Sequence, residues 1–402
     1  MITRDEAGLI AEKWVADSAP PDVRLIPMVH EFDLGYVVWG GHPPGTPPLV
    51  GAGRGIIDKE TGDLSVWPSL PVELVIGQFR ERRTDQPRAP RTSDPADQVR
   101  RDLRRLATPA KVTHLTLADR VLVVRSVKGD AEPQHHRLVR EFYAGGMGPE
   151  YRERGYDRCS EAAAFSDALH AEDARRTVAD APAITVKQAR EELFAGARMS
   201  TYLVREGGDA VAGQVALPCF SCVLLGRSFG FELNPPRSPS LSEVPLSAEA
   251  AEMLGAPGWS RVRGTDEQTA RTVRLICDQV GRHGARIESF EAANAVLTAF
   301  GGMSVAQHGP GRDLRRRPFT LDPLLAAATA ETLADFGGLL GTRLFPLGME
   351  GDHDAMLAID ESGRIFALDH AGEWFLGDSI EPALAVLMSG TQPLRIDDHG
   401  HW

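Results

Sequence analysis

The sequence predicts three domains, with α+β and α/β architecture. Two segments rich in proline and poor in apolar residues, 80–98 and 233–247, interrupt the chain and predict linkers. A chain of 402 residues is also too long to fold around one hydrophobic core of ordinary size. Helical and strand periodicities alternate between the linkers, so we expect domains at 1–80, 98–235 and 245–395.

The first block predicts a helix, several strands and a closing helix. One face of the first helix is apolar, with Ala7, Ile10, Ala11, Trp14 and Val15. The runs VRLIPMV and GYVVWG have strand composition, and GIIDKETGDLSVW predicts a hairpin that turns at Lys59–Gly62. The segment VELVIGQFRERR predicts the closing helix.

The middle block alternates helices with strands. A helix at VRRDLRRL precedes VTHLTLADRVLVVRSV, which predicts a hairpin that turns at Ala118–Asp119. A helix at SEAAAFSDALHAEDA and a strand at MSTYLVR follow, and another helix begins near Pro218.

The third block begins with helices and ends with a hairpin and a helix. The helical segments are SAEAAEMLGA, DEQTARTVRLICDQVGRHGA and FEAANAVLTAFGG. The hairpin AMLAIDESGRIFALDH turns at Asp360–Gly363, and IEPALAVLMSG predicts the last helix. The first and third blocks are therefore predicted to be small α+β domains on either side of the middle block.

The composition indicates a globular protein rather than a membrane protein. Hydrophobic residues make up 42% of the chain and charged residues 25%, and the net charge of −12 disfavours nonspecific binding to nucleic acid. We find no run of 18 apolar residues and no apolar signal-peptide core at the start. We therefore expect a cytoplasmic protein, in which paired cysteines favour a metal or redox site over a disulfide.

The stretch PCFSC contains two cysteines three residues apart. Because proline is common in the first helical turn, Cys219 and Cys222 are predicted to lie side by side at a helix N-terminus, where the helix dipole favours thiolate. A redox pair is one interpretation, and a closed structural zinc site with four ligands is another. Cys277 is the remaining candidate for such a site, but it lies on an apolar helix face and we expect an inert core cysteine.

A third cysteine changes the interpretation. Cys159 also precedes a predicted helix, and Glu161 follows it within the first turn. Three sulfurs leave one zinc position open, which is typical of a catalytic rather than a structural site. A carboxylate beside the metal that is not itself a ligand can transfer protons.

These motifs, Cys159-Ser160-Glu161 and Pro218-Cys219-Phe220-Ser221-Cys222, resemble the zinc-dependent cytidine deaminase superfamily. The combination of CSEAAAFSDAL with LPCFSCVLL is most similar to the YwqJ-like deaminases of bacterial polymorphic toxin systems. The resemblance implies a central α/β/α sandwich with a mixed sheet. It also implies zinc held by Cys159, Cys219 and Cys222, and Glu161 as the catalytic acid and base.

The flanking blocks resemble immunity proteins. Residues 1–80 are similar to a YrhB-like immunity domain, and residues 245–395 to the SUKH superfamily. Such domains are implied to bind toxin proteins. Two functions follow: a zinc-dependent hydrolase that deaminates a cytosine- or adenine-like base in a nucleic acid or nucleotide, or a non-catalytic immunity protein whose deaminase-like domain is a recognition module.

Other conspicuous residues have simpler interpretations. We expect His135 and His136 to be a solvated surface pair and the tail IDDHGHW to be disordered. Tyr202 and Phe220 could stack on a base, although packing in the core is the interpretation that we favour.

Overall fold

The computed structural model describes residues 1–19, 25–42, 53–84, 89–103, 108–234, 259–260, 265–282, 286–351 and 353–402. The predicted helix SAEAAEMLGA and most of the second linker lie outside these residues. The described part confirms a multidomain α+β protein. No helix in these ranges is both long and apolar enough to cross a membrane.

The N-terminal domain is a four-stranded antiparallel sheet between two helices. The strands are β1 (Ile26–Glu31), β2 (Gly35–Gly41), β3 (Arg54–Asp58) and β4 (Leu64–Trp67), and they pair in chain order. Helix α1 (Arg4–Ser18) begins with a capping box, in which Thr3 and Glu6 bond reciprocally to each other's backbone. It covers one face through Ala7 and Ala11, while α2 (Val72–Thr84) covers the other through Val75 and Phe79.

The central domain is built on a second sheet, with strand order β6-β5-β7-β8. Its strands are β5 (Ala110–Thr116), β6 (Val121–Arg125), β7 (Arg198–Val204) and β8 (Val215–Ala216). Helices α3 (Pro95–Leu103) and α4 (Arg137–Ala144) come before and after the β5–β6 hairpin. The long α5 (Ser160–Val178), the one-turn α6 (Val186–Gln188) and α7 (Phe220–Ser228) complete the domain.

The central sheet differs from the expected mixed sheet with helices on both faces. All three pairings between its described strands are antiparallel, because the β5–β6 hairpin and the return of β7 along β5 both reverse direction. One face packs against α5 and α7 through Leu115, Leu169 and Leu225. On the opposite face, Val121 and Val123 are exposed, so the described residues form one helical layer on this sheet.

The C-terminal domain is an eight-stranded antiparallel sheet with helices packed against it. The strand order is β16-β15-β14-β13-β12-β11-β10-β9. Its elements, in chain order, are β9 (Trp259–Ser260), α8 (Asp266–Arg282), α9 (Glu291–Phe300), β10 (Ser304–Val305), β11 (Phe319–Thr320), α10 (Ala330–Leu340), β12 (Leu344–Glu350), β13 (Ala355–Asp360), β14 (Ile365–Asp369), β15 (Gly372–Gly377), α11 (Ile380–Ser389) and β16 (Leu394–Ile396). The helices α8, α9 and α11 bury their apolar sides in its largest core cluster.

Buried charges join the central and C-terminal domains. Arg101 on α3 contacts Glu373 on β15, and the ammonium group of Lys128 lies 2.7 Å from the same carboxylate. Asp398, near the end of the chain, also pairs with Arg101. Because a buried charge is stable only when paired, these contacts hold the two domains in one arrangement.

The predicted disorder of the tail is wrong. Trp402 stacks on Phe375 with ring centroids 4.9 Å apart, and Asp398 pairs with Arg101. An aromatic ring and a carboxylate at the end of the chain thus provide contacts that order the segment.

We predict that Glu373→Gln lowers the free energy of unfolding by about 3 kcal/mol, because it leaves the buried Lys128 ammonium without a charged partner. Urea denaturation followed by tryptophan fluorescence measures the change. The matched control is Glu361→Gln, which removes an exposed ion pair with Arg343 and should lower the free energy of unfolding far less than Glu373→Gln does. Equal costs for the two variants would show that the buried network does not stabilise the domain boundary.

Candidate active site

The first part of the site is the N-terminus of α5. Cys159 is the N-cap residue of this helix, and Glu161 lies in its first turn. Thr113 on β5 donates a hydrogen bond to the Ser160 hydroxyl at 2.8 Å and is 2.8 Å from the hydroxyl of Thr201 on β7. These buried hydroxyls fix the start of the helix against the middle of the sheet.

The second part is the N-terminus of α7. Cys219 is its N-cap residue, and its sulfur accepts a hydrogen bond from the backbone N–H of Cys222 at 3.4 Å. Pro218 therefore lies just before the helix rather than inside its first turn. The predicted geometry is otherwise as expected, since both sulfurs of the C-x-x-C pair lie at one helix N-terminus.

The two helix N-termini bring three sulfurs together. Sγ of Cys159 is 3.5 Å from Sγ of Cys219, and the sulfurs of Cys159, Cys219 and Cys222 all lie within 4.8 Å of one another. All three cysteines are buried and free, with no disulfide. In the part of the chain that is described, these three atoms form the group with the spacing of metal ligands. Cys277 is not among them and instead contacts the Ile287 carbonyl.

The three thiols differ in acidity. A hydrogen bond from Cys159 holds the pKa of the Cys219 thiol well below its ordinary value. The same hydrogen bonding raises the pKa of Cys159 and of Cys222 well above theirs. A cation bound among the sulfurs would compensate the charge of further thiolates, which is the electrostatic basis for metal binding by clustered cysteines.

The dimensions and chemistry of the cluster fit zinc. Tetrahedral zinc binds thiolate at about 2.3 Å, which places neighbouring sulfurs about 3.8 Å apart. The separation of 3.5 Å between Cys159 and Cys219 is close to that value. Among the described residues, these three sulfurs are the donor atoms that all lie within 4.8 Å of one another, which matches the ligand number of a zinc site with one position left over.

Glu161 lies beside the sulfur cluster. Its Oε2 is 3.8 Å from Sγ of Cys222 and accepts a hydrogen bond from the Ser160 hydroxyl at 3.4 Å. Its Oε1 is buried and has no hydrogen-bond partner among the described residues. Burial raises the pKa of Glu161, and the nearby ammonium group of Lys111 opposes the rise. A raised pKa suits a carboxyl group that must both accept and donate a proton.

A histidine from the C-terminal domain reaches the same cluster. Nε2 of His370, at the tip of the β14–β15 hairpin, is 3.3 Å from Sγ of Cys159. Burial lowers the pKa of His370 to about 4. The sequence analysis did not identify this residue, because His370 is 211 positions from Cys159 and belongs to no local motif.

Other charged residues surround the site where the central and C-terminal domains meet. Lys111 on β5 pairs with Asp354 of the C-terminal domain at 2.8 Å. Glu153 accepts a hydrogen bond from the backbone N–H of Phe220, and burial raises its pKa to about 7. The guanidinium group of Arg315 lies 3.8 Å from the ring centroid of Phe220. Sequence reasoning missed these residues too, since each acts through a partner far along the chain.

Comparison with known families identifies the three domains. Residues 95–229 match the sequence model of the YwqJ-like deaminase family. The chain carries a YwqJ-like deaminase domain. Residues 5–86 match an Immunity protein 35-like domain and residues 246–390 match the SUKH-3 immunity protein. Searches of curated proteins and of solved structures give no match.

The suspected family assignments are therefore confirmed. A YwqJ-like deaminase domain lies between two immunity domains, which indicates a toxin and immunity system. The matching model for the first domain is described as Immunity protein 35-like, whereas the sequence analysis named a YrhB-like domain. The C-terminal domain that contributes His370 is the SUKH-3 domain.

Two interpretations of individual residues change with the structure. His135 and His136 are buried rather than solvated: His135 contacts the Asp157 carbonyl, and His136 pairs with Asp173 and caps α4. Tyr202 packs against His114, and its neighbour Thr201 faces the site side of the sheet. Because successive strand residues face opposite sides, Tyr202 lies away from the cysteines, whereas Phe220 lies beside them.

We predict that Thr113→Val costs about 1–3 kcal/mol of unfolding free energy, because it removes the hydroxyl that the buried hydroxyls of Ser160 and Thr201 both contact. Urea denaturation of the full chain measures the loss. Thr116→Val, on an exposed position of the same strand, is the control and should change stability by less than about 0.5 kcal/mol. Equal stability of the two variants would mean that the hydroxyl chain does not support α5.

Proposed function

We propose that the central domain is a zinc-dependent hydrolytic deaminase of a cytosine- or adenine-like base, in a nucleic acid or a nucleotide. The observation that carries the proposal is the convergence of three cysteine sulfurs with one carboxylate oxygen that has no hydrogen-bond partner in the described part of the chain. In this proposal, Cys159, Cys219 and Cys222 hold the metal, and Glu161 is the acid and base.

The chemistry requires both parts of this arrangement. When bound, zinc supplies the Lewis acidity that makes water a nucleophile at neutral pH. Deamination converts water and the amino-bearing ring into ammonia and the corresponding carbonyl compound. Glu161 accepts a proton from the water and donates it to the ring nitrogen, and it then delivers the second proton to the departing amine.

The polar surroundings support the proposed role of Glu161. The hydroxyl chain from Thr201 through Thr113 to Ser160 orients Oε2, so that Oε1 is the oxygen available for proton transfer. Lys111, which is buried close to Glu161, favours the ionised carboxylate. Removal of either support would therefore alter proton transfer without removing a metal ligand.

A second function remains supported by a specific observation. Cys159, Cys219, Cys222 and Glu161 each expose 5% or less of their surface, and the SUKH-3 domain lies over them. A non-catalytic immunity protein that binds a toxin, with the deaminase-like domain as a recognition module, would need no path to the site. The two functions differ in whether ammonia is released once the site is opened.

Zinc content is the first test of the proposal. We predict about one zinc per chain by native mass spectrometry, with loss of the metal in Cys219→Ala because one of the three thiolate ligands is removed. Cys277→Ala is the matched control and should retain zinc. Equal loss from both variants would indicate a closed site with four cysteines and remove catalysis from the proposal.

The role of Glu161 is tested by turnover. Because the site is buried in the native chain, the variants are compared in a chain that also carries His370→Ala. We predict that Glu161→Gln retains zinc but lowers ammonia release from cytosine- or adenine-containing DNA, RNA and nucleosides by about 100-fold or more, since glutamine cannot accept the proton.

The exposed Glu191→Gln is the control and should leave turnover unchanged. Full activity of Glu161→Gln would contradict the assigned mechanism. Retention of zinc with no turnover in any of these chains, together with stable binding of a toxin protein, would favour the recognition module instead.

A further inference from the structure

We propose that the SUKH-3 domain closes the deaminase site within the same chain, with His370 as the fourth zinc ligand. The inference rests on the zinc site of the proposed function and concerns its regulation. A site with three sulfurs and an open position is suited to catalysis, whereas a fourth protein ligand converts it into a closed site. The immunity domain would thus hold the deaminase inactive through direct contact with the metal.

His370 lies in contact with the sulfur cluster. Nε2 of His370 is 3.3 Å from Sγ of Cys159. In a tetrahedral zinc site, a thiolate sulfur and an imidazole nitrogen that share the metal lie about 3.6 Å apart. The measured separation from Cys159 is close to that distance, and the imidazole would have to turn towards Cys219 and Cys222 to complete the coordination, because in the described ranges the three sulfurs alone lie within 4.8 Å of one another. The other ring nitrogen, Nδ1, is buried with no partner among the described residues, so no competing hydrogen bond holds the ring elsewhere.

The hairpin tip is built to present this histidine. Asp369 and Gly372 pair across the end of the β14–β15 hairpin, which leaves His370 and Ala371 as a two-residue turn. Oδ1 of Asp369 accepts hydrogen bonds from the backbone N–H groups of Ala371 and Gly372 at 2.9 and 3.1 Å. A turn with both of these N–H groups bound is rigid, so the backbone that carries the imidazole is held beside the sulfurs before any metal binds.

The deaminase domain holds the same tip from the opposite side. Nε of Arg154 donates to Oδ2 of Asp369 at 2.7 Å, and its terminal nitrogen pairs with Glu350 at 2.8 Å. Gly155, next in the chain, packs directly against Ala371: a Cβ at position 155 would clash with the Cβ of Ala371. The buried ion pair between Arg154 and Asp369 and the lack of a side chain at Gly155 therefore let the hairpin tip approach Cys159 closely.

Further contacts between the deaminase and SUKH-3 domains keep a substrate out of the site. Lys111, beside Glu161, is paired with Asp354 of the SUKH-3 domain, and Arg315 covers the ring of Phe220 next to Cys219. His370 itself is only 4% exposed. The hairpin tip lies against the site in the described structure, so opening the site to a base here means withdrawing the tip, which separates several buried charge pairs at once. The closed state is therefore the stable state of the full chain.

The test is X-ray absorption spectroscopy at the zinc edge of the full-length, zinc-loaded chain. We expect three sulfur neighbours and one nitrogen with the outer-shell scattering of an imidazole. His370→Ala and the more conservative His370→Gln should each retain zinc but lose the imidazole signal. His308→Ala, which removes another partly buried imidazole from the same domain, should leave the native spectrum unchanged. The native spectrum alone decides the ligand if a variant fails to fold.

Deaminase activity gives the second readout. We expect His370→Ala and His370→Gln to release ammonia at least about tenfold faster than the native chain, and His308→Ala to match the native chain. A native spectrum with three sulfurs and no imidazole would overturn the role of His370 while leaving the zinc site intact. Absence of bound zinc in every chain would instead overturn the proposed function itself.

Discussion

The arrangement of this protein depends on the buried ion pair between Arg154 and Asp369. Arg154 lies five residues before Cys159 in the deaminase domain, and Asp369 immediately precedes His370 in the SUKH-3 domain. Neither charge is exposed, so both need an oppositely charged partner in the interior. The pair therefore connects the segment just before Cys159 with the hairpin whose His370 contacts the Cys159 sulfur. Lys111 with Asp354 and Glu153 with Arg317 repeat the pattern, with cations and carboxylates contributed by both domains.

This chain places a YwqJ-like deaminase domain and two immunity domains in one polypeptide. A fused partner is present at a high effective concentration, so it needs little intrinsic affinity to remain docked. The Immunity protein 35-like domain occupies a different place. It contacts the segment around α3, where Glu6 pairs with Arg100 while the adjacent Arg101 pairs with the SUKH-3 domain. Helix α3 thus touches both immunity domains, and within the described ranges it is the SUKH-3 domain that reaches the sulfurs.

The sequence predicted the features that depend on neighbouring residues. Cys219 with Cys222, and Cys159 with Glu161, are short motifs at helix N-termini, and helix geometry alone brings each pair together. It did not predict β12, because Pro346 and Gly348 within that strand are typical of turns; the structure accommodates them at a register shift. Nor did it predict His370, His135 or His136 as buried groups. Their partners lie on other elements, and no spacing rule connects them.

The central claim is that one zinc ion is shared between the deaminase domain and the SUKH-3 domain. A crystal structure of the full-length, zinc-loaded chain, with anomalous data collected on both sides of the zinc absorption edge, tests it most directly. The account predicts one anomalous peak bounded by Sγ of Cys159, Cys219 and Cys222 and by Nε2 of His370, with Glu161 outside the coordination sphere. A peak whose fourth ligand is Glu161 or solvent, with the hairpin tip withdrawn, would contradict it.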